Sequence, residues 1–206
     1  KMKYLLLFLF FFGFLPLTNA AELTSDSTAR PRIYLIPGQG SDTRIFNQID
    51  FSGFDTTHIV YDVPQKNETM SNYAQRILQQ IDTTQPFSLI GVSLGGMIAT
   101  EITKKTHPVH TIIISSARTR YQLPYRYRLM RVVPINRLFK GKMIRAMGIM
   151  VQPLVEPDSR KERTLCKSML QAKHPLLLER GINMIIHWDN EEDNPNIIHI
   201  HGTKDH

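Results

Sequence analysis

The stretch Gly91-Val92-Ser93-Leu94-Gly95 constrains this chain more than any other, because of what flanks it. Pro86-Phe87-Ser88-Leu89-Ile90 is a short apolar run of the kind that makes a buried strand. Gly96 to Lys105 carries helix formers at helical spacing. A serine at a strand-to-helix junction, with glycine two residues before and two after, predicts a turn too tight for any other residue at those flanks. Such a turn holds the serine hydroxyl clear of the sheet. The helix behind it directs its first N–H groups and the positive end of its dipole at whatever reacts there. A plain glycine-rich turn is the bland alternative, and the strand and helix on either side favour the chemical one.

Two further segments fit the same plan. Arg32-Ile33-Tyr34-Leu35-Ile36 is an apolar strand running into Pro37-Gly38-Gln39-Gly40-Ser41-Asp42, and Asn196-Ile197-Ile198-His199-Ile200 is a late strand running into His201-Gly202-Thr203-Lys204-Asp205. With these in place the chain resembles the α/β-hydrolase superfamily over about residues 31–206. The resemblance implies a mainly parallel sheet flanked by helices, with an inserted helical cap. It makes Ser93 the nucleophile of an elbow whose glycines are Gly91 and Gly95, and Asp205 the acid in the order Ser, Asp, His. The backbone N–H groups of Gln39 and Leu94 become the oxyanion donors, with Gly38 and Gly40 keeping that loop free of side chains.

The resemblance also implies a catalytic histidine on a loop after one more strand, tens of residues past the acid. None of the eight histidines has that place. His206 is tied to the acid's own loop, and His58, His107, His110, His174, His187, His199 and His201 precede it. Were a substitute base to come from these, His187, beside Trp188 in a segment that could cover the site, would be the candidate, against the leading reading that the base is missing. The sequence opens on Lys1-Met2-Lys3 and stops at His206, so both ends look cut. The expectation is an incomplete product lacking a last helix, strand and histidine loop.

Elsewhere strand and helix patterns alternate. A short helix is predicted near Asp42 to Ile49, a strand over Thr57 to Tyr61, and a strand over Val109 to Ser115. Thr69 to Ile81 reads as a helix with Met70, Tyr73, Ile77, Leu78 and Ile81 on one face. Repeated units of this kind predict a mainly parallel sheet with helices on both faces. Over about residues 117–194 the alternation stops and helical pieces take over: Tyr125 to Val133, Pro134 to Met150, Asp158 to Ala172 and Pro175 to Trp188. The resemblance makes this segment the cap. Its methionines (Met130, Met143, Met147, Met150, Met169 and Met184) suit an adaptable apolar pocket, although ordinary core is the commoner use. Arg126, Arg128, Arg131, Arg137, Lys140, Lys142 and Arg145 make one stretch basic, most simply a plain solvated face, with docking on an anionic membrane or admission of an acidic substrate as the alternatives.

Residues 1–20 read as an address: Lys1 and Lys3, then an apolar run from Leu5 to Leu15, then Thr18-Asn19-Ala20. That is the layout of a secretory signal, and the run is short of the ~20 residues of a membrane span. The expectation is export, to the periplasm or beyond, with residues 21–206 as one domain. The net charge of +7 falls by two when Lys1 and Lys3 leave, which suits weak contact with an anionic membrane or cell-wall surface. A single cysteine, Cys166, rules out an internal disulfide. No Cys pair or H-E-x-x-H argues for a metal, no G-x-G-x-x-G or P-loop for a nucleotide, and neither a cofactor nor a nucleic-acid partner is expected. Asn67-Glu68-Thr69 fits the glycosylation sequon, which matters only in a eukaryotic secretory pathway.

Ser93 alone is a weak nucleophile; it needs an imidazole, an acid to hold the imidazole, and two N–H groups for the oxyanion. The reaction type follows: attack on a small-molecule acyl ester or thioester, an acyl-serine, then release to water. An acyltransferase of the same fold and a non-catalytic binding protein on the same scaffold are the other readings.

Overall fold

The computed structural model describes residues 30–133, 140–155 and 159–202. The predicted signal, Asp205 and His206 lie outside them. Among the described residues, β1 (Arg32–Ile36), β2 (Asp55–His58), β3 (Phe87–Val92), β4 (Thr111–Ile114) and β5 (Ile197–Ile200) form one sheet in the order β2-β1-β3-β4-β5. Every pairing is parallel. Parallel neighbours require crossovers. Helix α1 (Met70–Ile77) connects β2 to β3, and α2 (Leu94–Thr103) connects β3 to β4. Among the described residues the β4-to-β5 connection holds four α-helices: α3 (Tyr125–Val132), α4 (Gly141–Val155), α5 (Arg160–Ala172) and α6 (Pro175–His187).

The chain runs outward from β1 to β2 and then returns to the other side of β1 as β3. That reversal opens a crevice outside the carboxyl ends of β1 and β3, the usual ligand position in open parallel sheets. Pro37 follows β1 and Ser93 follows β3, so both segments flanking the crevice are those singled out in the sequence.

Helix α2 is buried on every side from Leu94 to Ile102. Its Met97, Ile98, Ala99 and Ile102 share a core with Tyr34, Leu89, Ile113 and the α6 residues Met184 and Ile185. Helix α1 buries one stripe, Met70, Tyr73, Ala74 and Ile77, and the Thr69 side chain caps it by accepting from the Asn72 N–H. It stops at Ile77 rather than Ile81, and Leu78–Gln80 tightens into a 3-10 turn. The second strand lies at Asp55–His58, two residues earlier than the sequence pattern suggests. The Gln80 side chain explains where it ends: its Oε1 accepts from the Val60 N–H and its Nε2 donates to the Val60 carbonyl, so those groups are lost to the sheet. The strand predicted over Val109–Ser115 contracts to Thr111–Ile114, and Ser115 leaves extended backbone with a φ of 46°. Helix α4 begins at Gly141 and runs to Val155; the expected earlier start at Pro134 falls outside the described residues.

One charged residue is buried inside α2. The Glu101 carboxylate accepts from the Trp188 indole Nε1 at 2.8 Å and from Lys104 Nζ at 3.1 Å. Lys104 also reaches Asn190 Oδ1, and Asn190 Nδ2 donates to the Arg118 carbonyl at 2.6 Å. A buried carboxylate persists only with such partners, and here they fasten the end of α6 to the central helix. Trp188→Phe keeps most of the packing but leaves Glu101 one donor short. It should cost about 1–3 kcal/mol, read as a lower urea midpoint by far-ultraviolet circular dichroism; an unchanged midpoint would mean that the indole bond adds nothing.

Candidate active site

Ser93 sits between β3 and α2 with φ 52° and ψ −118°, a conformation in which most side chains are strained. Strain of this kind costs about 1–3 kcal/mol and persists only where the surroundings over-determine it. They do so here. The Ser93 N–H donates to the Ile114 carbonyl at 2.9 Å, and its own carbonyl accepts from Gly96 N, Met97 N and the Ser116 hydroxyl at 2.9, 3.3 and 2.6 Å. The residue is nonetheless exposed, so its side chain stands at the surface of the crevice.

The flanking glycines are compulsory. A Cβ at Gly91 would overlap the backbone of Gly95 and Gly96, and one at Gly95 would overlap the carbonyl oxygens of Ile36 and Pro37. The first turn of α2 therefore lies directly against the end of β1. A third glycine, Gly96, makes room for the Ser116 side chain that holds the Ser93 carbonyl. Gly38 is tight as well: its Cβ would stand 3.4 Å from the Ser93 Cβ and 3.3 Å from the Val92 carbonyl. Gly40 is different, since only the Leu170 Cδ1, at 3.2 Å, faces it.

The proposed oxyanion donors belong to the two segments that meet here. Leu94 is the first residue of α2, so its N–H is among the helix-start groups with no acceptor in the helix. Gln39 follows Gly38 in a loop pinned at several points. Gly38 N donates to Ser41 Oγ at 2.8 Å, Ser41 N donates to the Gly38 carbonyl, and the Tyr61 hydroxyl donates to the Pro37 carbonyl. Burial raises the Tyr61 pKa well above its ordinary value, so it remains a neutral donor. Asp42, hydrogen-bonded by Arg44 and held below the usual carboxylate range by it, caps the short turn Thr43–Phe46.

The Gln39 side chain has a use the sequence did not disclose. Its Nε2 donates to the carbonyls of Leu178, at 2.7 Å, and Leu177, at 3.4 Å, on α6, while Gly181 one turn on leaves space for its amide. Arg44 reaches α5 through Ser168 Oγ at 3.0 Å. Beside this loop lies a cleft of about 250 Å³ lined by Pro37, Asp42, Tyr61, Lys173, His174 and Leu177 among others; Ser93 does not line it. Burial pushes the half-buried Lys173 ammonium below its ordinary pKa against the pull of Asp42.

The other sequence candidates scatter. His187 is exposed on the last turn of α6, with Nδ1 2.9 Å from the Asn183 carbonyl of its own helix. His199, on β5, faces His201 Nδ1 at 3.3 Å, and burial, with His201 and Arg118 nearby, holds its pKa below the ordinary value. The Ser115 N–H donates to the Ile200 carbonyl, so the chain leaves β5 toward Asp205 from the edge of the sheet that carries Ser93. Asp205 itself lies outside the described residues. Among the described residues no cluster of three His, Cys, Asp or Glu side chains could hold a metal.

Residues 43–123 match a family described as uncharacterised protein family UPF0227. None of the curated proteins matches the chain. Solved structures do. An enol-lactonase from Burkholderia xenovorans LB400 superposes with a TM-score of 0.62 at 15% identity, over 84% of this chain and 71% of that one. For an esterase from Exiguobacterium antarcticum the values are 0.56 and 13%, over 78% and 68%. For a hydrolase from Pseudomonas aeruginosa PA01 they are 0.55 and 13%, over 78% and 65%. The chain thus spans slightly under two thirds of the length of the last. At such identities the likeness is one of fold.

Two sets of variants test the site's construction. Gly95→Ala should cost ~3 kcal/mol or more because backbone atoms cannot yield, whereas Gly40→Ala should cost under about 1 kcal/mol because only a leucine methyl must move; urea midpoints compare them. Gln39→Ala should lose about 0.5–1.5 kcal/mol, and Gly181→Ala should lose a similar amount by displacing the same amide. Because the double variant has room for both changes, a double-mutant cycle should show the two losses to be less than additive; strict additivity would mean that the side chain and Gly181 do not interact.

Proposed function

We infer that this chain, an α/β-hydrolase by fold, is a serine hydrolase that cleaves carboxylic esters or thioesters through an acyl intermediate on Ser93. The observation that carries the reading is the strained, exposed Ser93 between two obligatory glycines, at the carboxyl edge of the sheet and the start of a buried helix. That is the construction of a nucleophile elbow. The similarity in fold to an esterase and an enol-lactonase agrees with it.

The proposed sequence begins with attack of Ser93 Oγ on the acyl carbonyl as an imidazole takes its proton. The negative charge that develops on the carbonyl oxygen is met by the backbone N–H groups of Leu94 and Gln39 and by the positive end of α2. Collapse expels the alcohol or thiol with a proton from the imidazolium, and water then releases the acid by the same steps in reverse. Asp205 is our choice for the acid that orients the imidazole. By the resemblance, the imidazole belongs on a loop tens of residues past that acid. The signal-like residues 1–20 support action outside the cytoplasm.

Treating the protein with a fluorophosphonate and locating the adduct by peptide mass mapping tests the reading. Label is expected on Ser93 and absent from Ser93→Ala, with the variant's circular dichroism unchanged because an exposed hydroxyl contributes little packing. In the protein completed by that histidine loop, Asp205→Asn should lower kcat on a short-chain ester by up to about 10⁴ with little change in KM. Label on another residue, or undiminished turnover in Ser93→Ala, would remove the assignment.

A further inference from the structure

Helices α3 and α4 present a surface that the reaction at Ser93 does not use. In α3 no residue is buried; Tyr125, Leu129 and Val132 are 70%, 45% and 79% exposed and lie four and three residues apart, hence on one face. In α4 the same spacing recurs with Met143, Met147 and Met150, exposed by 49%, 40% and 72%. Both helices pack on α6, whose own apolar residues Leu177, Leu178, Met184 and Ile185 are buried. Two exposed apolar stripes on helices that both rest on α6 exceed the scattered single residues of an ordinary surface.

The charge of the segment says what would cover them. Between Glu101 and Glu156 the sequence has no Asp or Glu, and all its formal charge comes from Lys and Arg. Arg118 and Arg120 are paired with Asp193 and Glu191, and Arg131 donates to the Trp188 carbonyl. Among the described residues, no ion pair takes up Arg126, Arg128 or Lys142, which are exposed beside the stripes. The Arg128 guanidinium lies 5.9 Å from the Tyr125 ring centroid and that of Arg126 5.1 Å from the Tyr127 ring centroid, so cation and aromatic occupy one patch. Apolar side chains that enter the acyl boundary, tyrosine at the headgroup level, and unpaired cations around them are the parts of a helix that lies in an anionic membrane interface. No helix among the described residues is long and apolar enough to cross a membrane, which leaves attachment to its surface.

We propose that α3 and α4 dock this protein on an anionic lipid bilayer, with Tyr125, Leu129, Val132 and the α4 methionines inserted and Arg126, Arg128 and Lys142 on the phosphates. Each basic side chain near such a surface contributes about 1 kcal/mol, so the three together correspond to roughly 100-fold in binding.

Co-sedimentation with sucrose-loaded vesicles tests the proposal, using phosphatidylcholine alone and phosphatidylcholine with a minority of phosphatidylglycerol. The protein should bind the anionic vesicles at least tenfold more strongly than the neutral ones, and added salt should weaken binding. The variant Arg126→Gln/Arg128→Gln/Lys142→Gln should lose roughly 100-fold. Tyr125→Ser/Leu129→Ser/Val132→Ser should also lose binding, with the circular dichroism spectrum intact because these side chains are exposed. Ser93→Ala should bind like the parent, which separates this proposal from the catalytic one. Equal binding to both vesicles, no binding to either, or full binding by the Tyr125/Leu129/Val132 or the Arg126/Arg128/Lys142 triple variant would overturn the proposal. So would tighter binding to duplex DNA or to an anionic cell-wall polymer than to the vesicles, because charge alone would then explain the patch.

Discussion

The first turn of α2 and the end of β1 approach each other so closely that no side chain fits between them. A Cβ on Gly95 would overlap the carbonyl oxygens of Ile36 and Pro37, and a Cβ on Gly91 would overlap the next turn of the same connection. Everything at the candidate site follows from this contact. It fixes the direction of the loop after β1, brings Gly38 to within van der Waals distance of Ser93, and forces Ser93 into a left-handed conformation. The strain is held by hydrogen bonds from three sides: β4 through Ile114, the segment after β4 through Ser116, and α2 through Gly96 and Met97. Removing one bond leaves the others in force, so the geometry does not depend on any single side chain.

A second feature concerns the four helices between β4 and β5. Each is amphipathic enough to bury a face, but α3 buries none of its own residues and α4 leaves methionines outside. The group is anchored through the buried apolar face of α6 and through polar bonds at its ends. The Trp188 indole on Glu101, Lys104 on Asn190 and Arg131 on the Trp188 carbonyl secure the C-terminal end of α6 to the sheet layer. At its other end Gly141 packs on the Pro175 backbone, and its N–H donates to the Glu179 carboxylate at 2.8 Å. Apolar surface is thus left outward on α3 and α4.

Much of the fold was legible because its signals are local. The Phe87-to-Ile90 run, the spaced glycines and the helix formers after them each lie within a few residues, and so does the stripe of α1. The alternation of these units made a parallel sheet readable without knowledge of its order. What could not be read depends on residues far apart in the chain. Nothing near Gln39 announces that its amide reaches Leu178, and nothing near Gly181 announces that its missing side chain makes room for that amide. Ser116 gave no sign of supporting Ser93, although Gly96, a further glycine straight after the Gly91–Gly95 stretch, was a usable hint that something packs there. The end of β2 was misplaced for the same reason: a glutamine side chain twenty residues away captures the backbone of Val60. Asp205 and the signal-like N-terminus fall outside the described residues, so their roles rest on sequence alone.

The bond from Gln39 to α6 makes the loop after β1 and the helices above it a single linkage. The carbonyls that accept from Gln39 belong to Leu177 and Leu178, in the first turn of α6, and α3 and α4 both rest on that helix. Any sliding of α6 along its axis must either break this bond or drag residue 39 with it, and Arg44 on Ser168 imposes the same choice for α5. Displacement of the outer helices would therefore reach the backbone beside Ser93 as a pull on one loop.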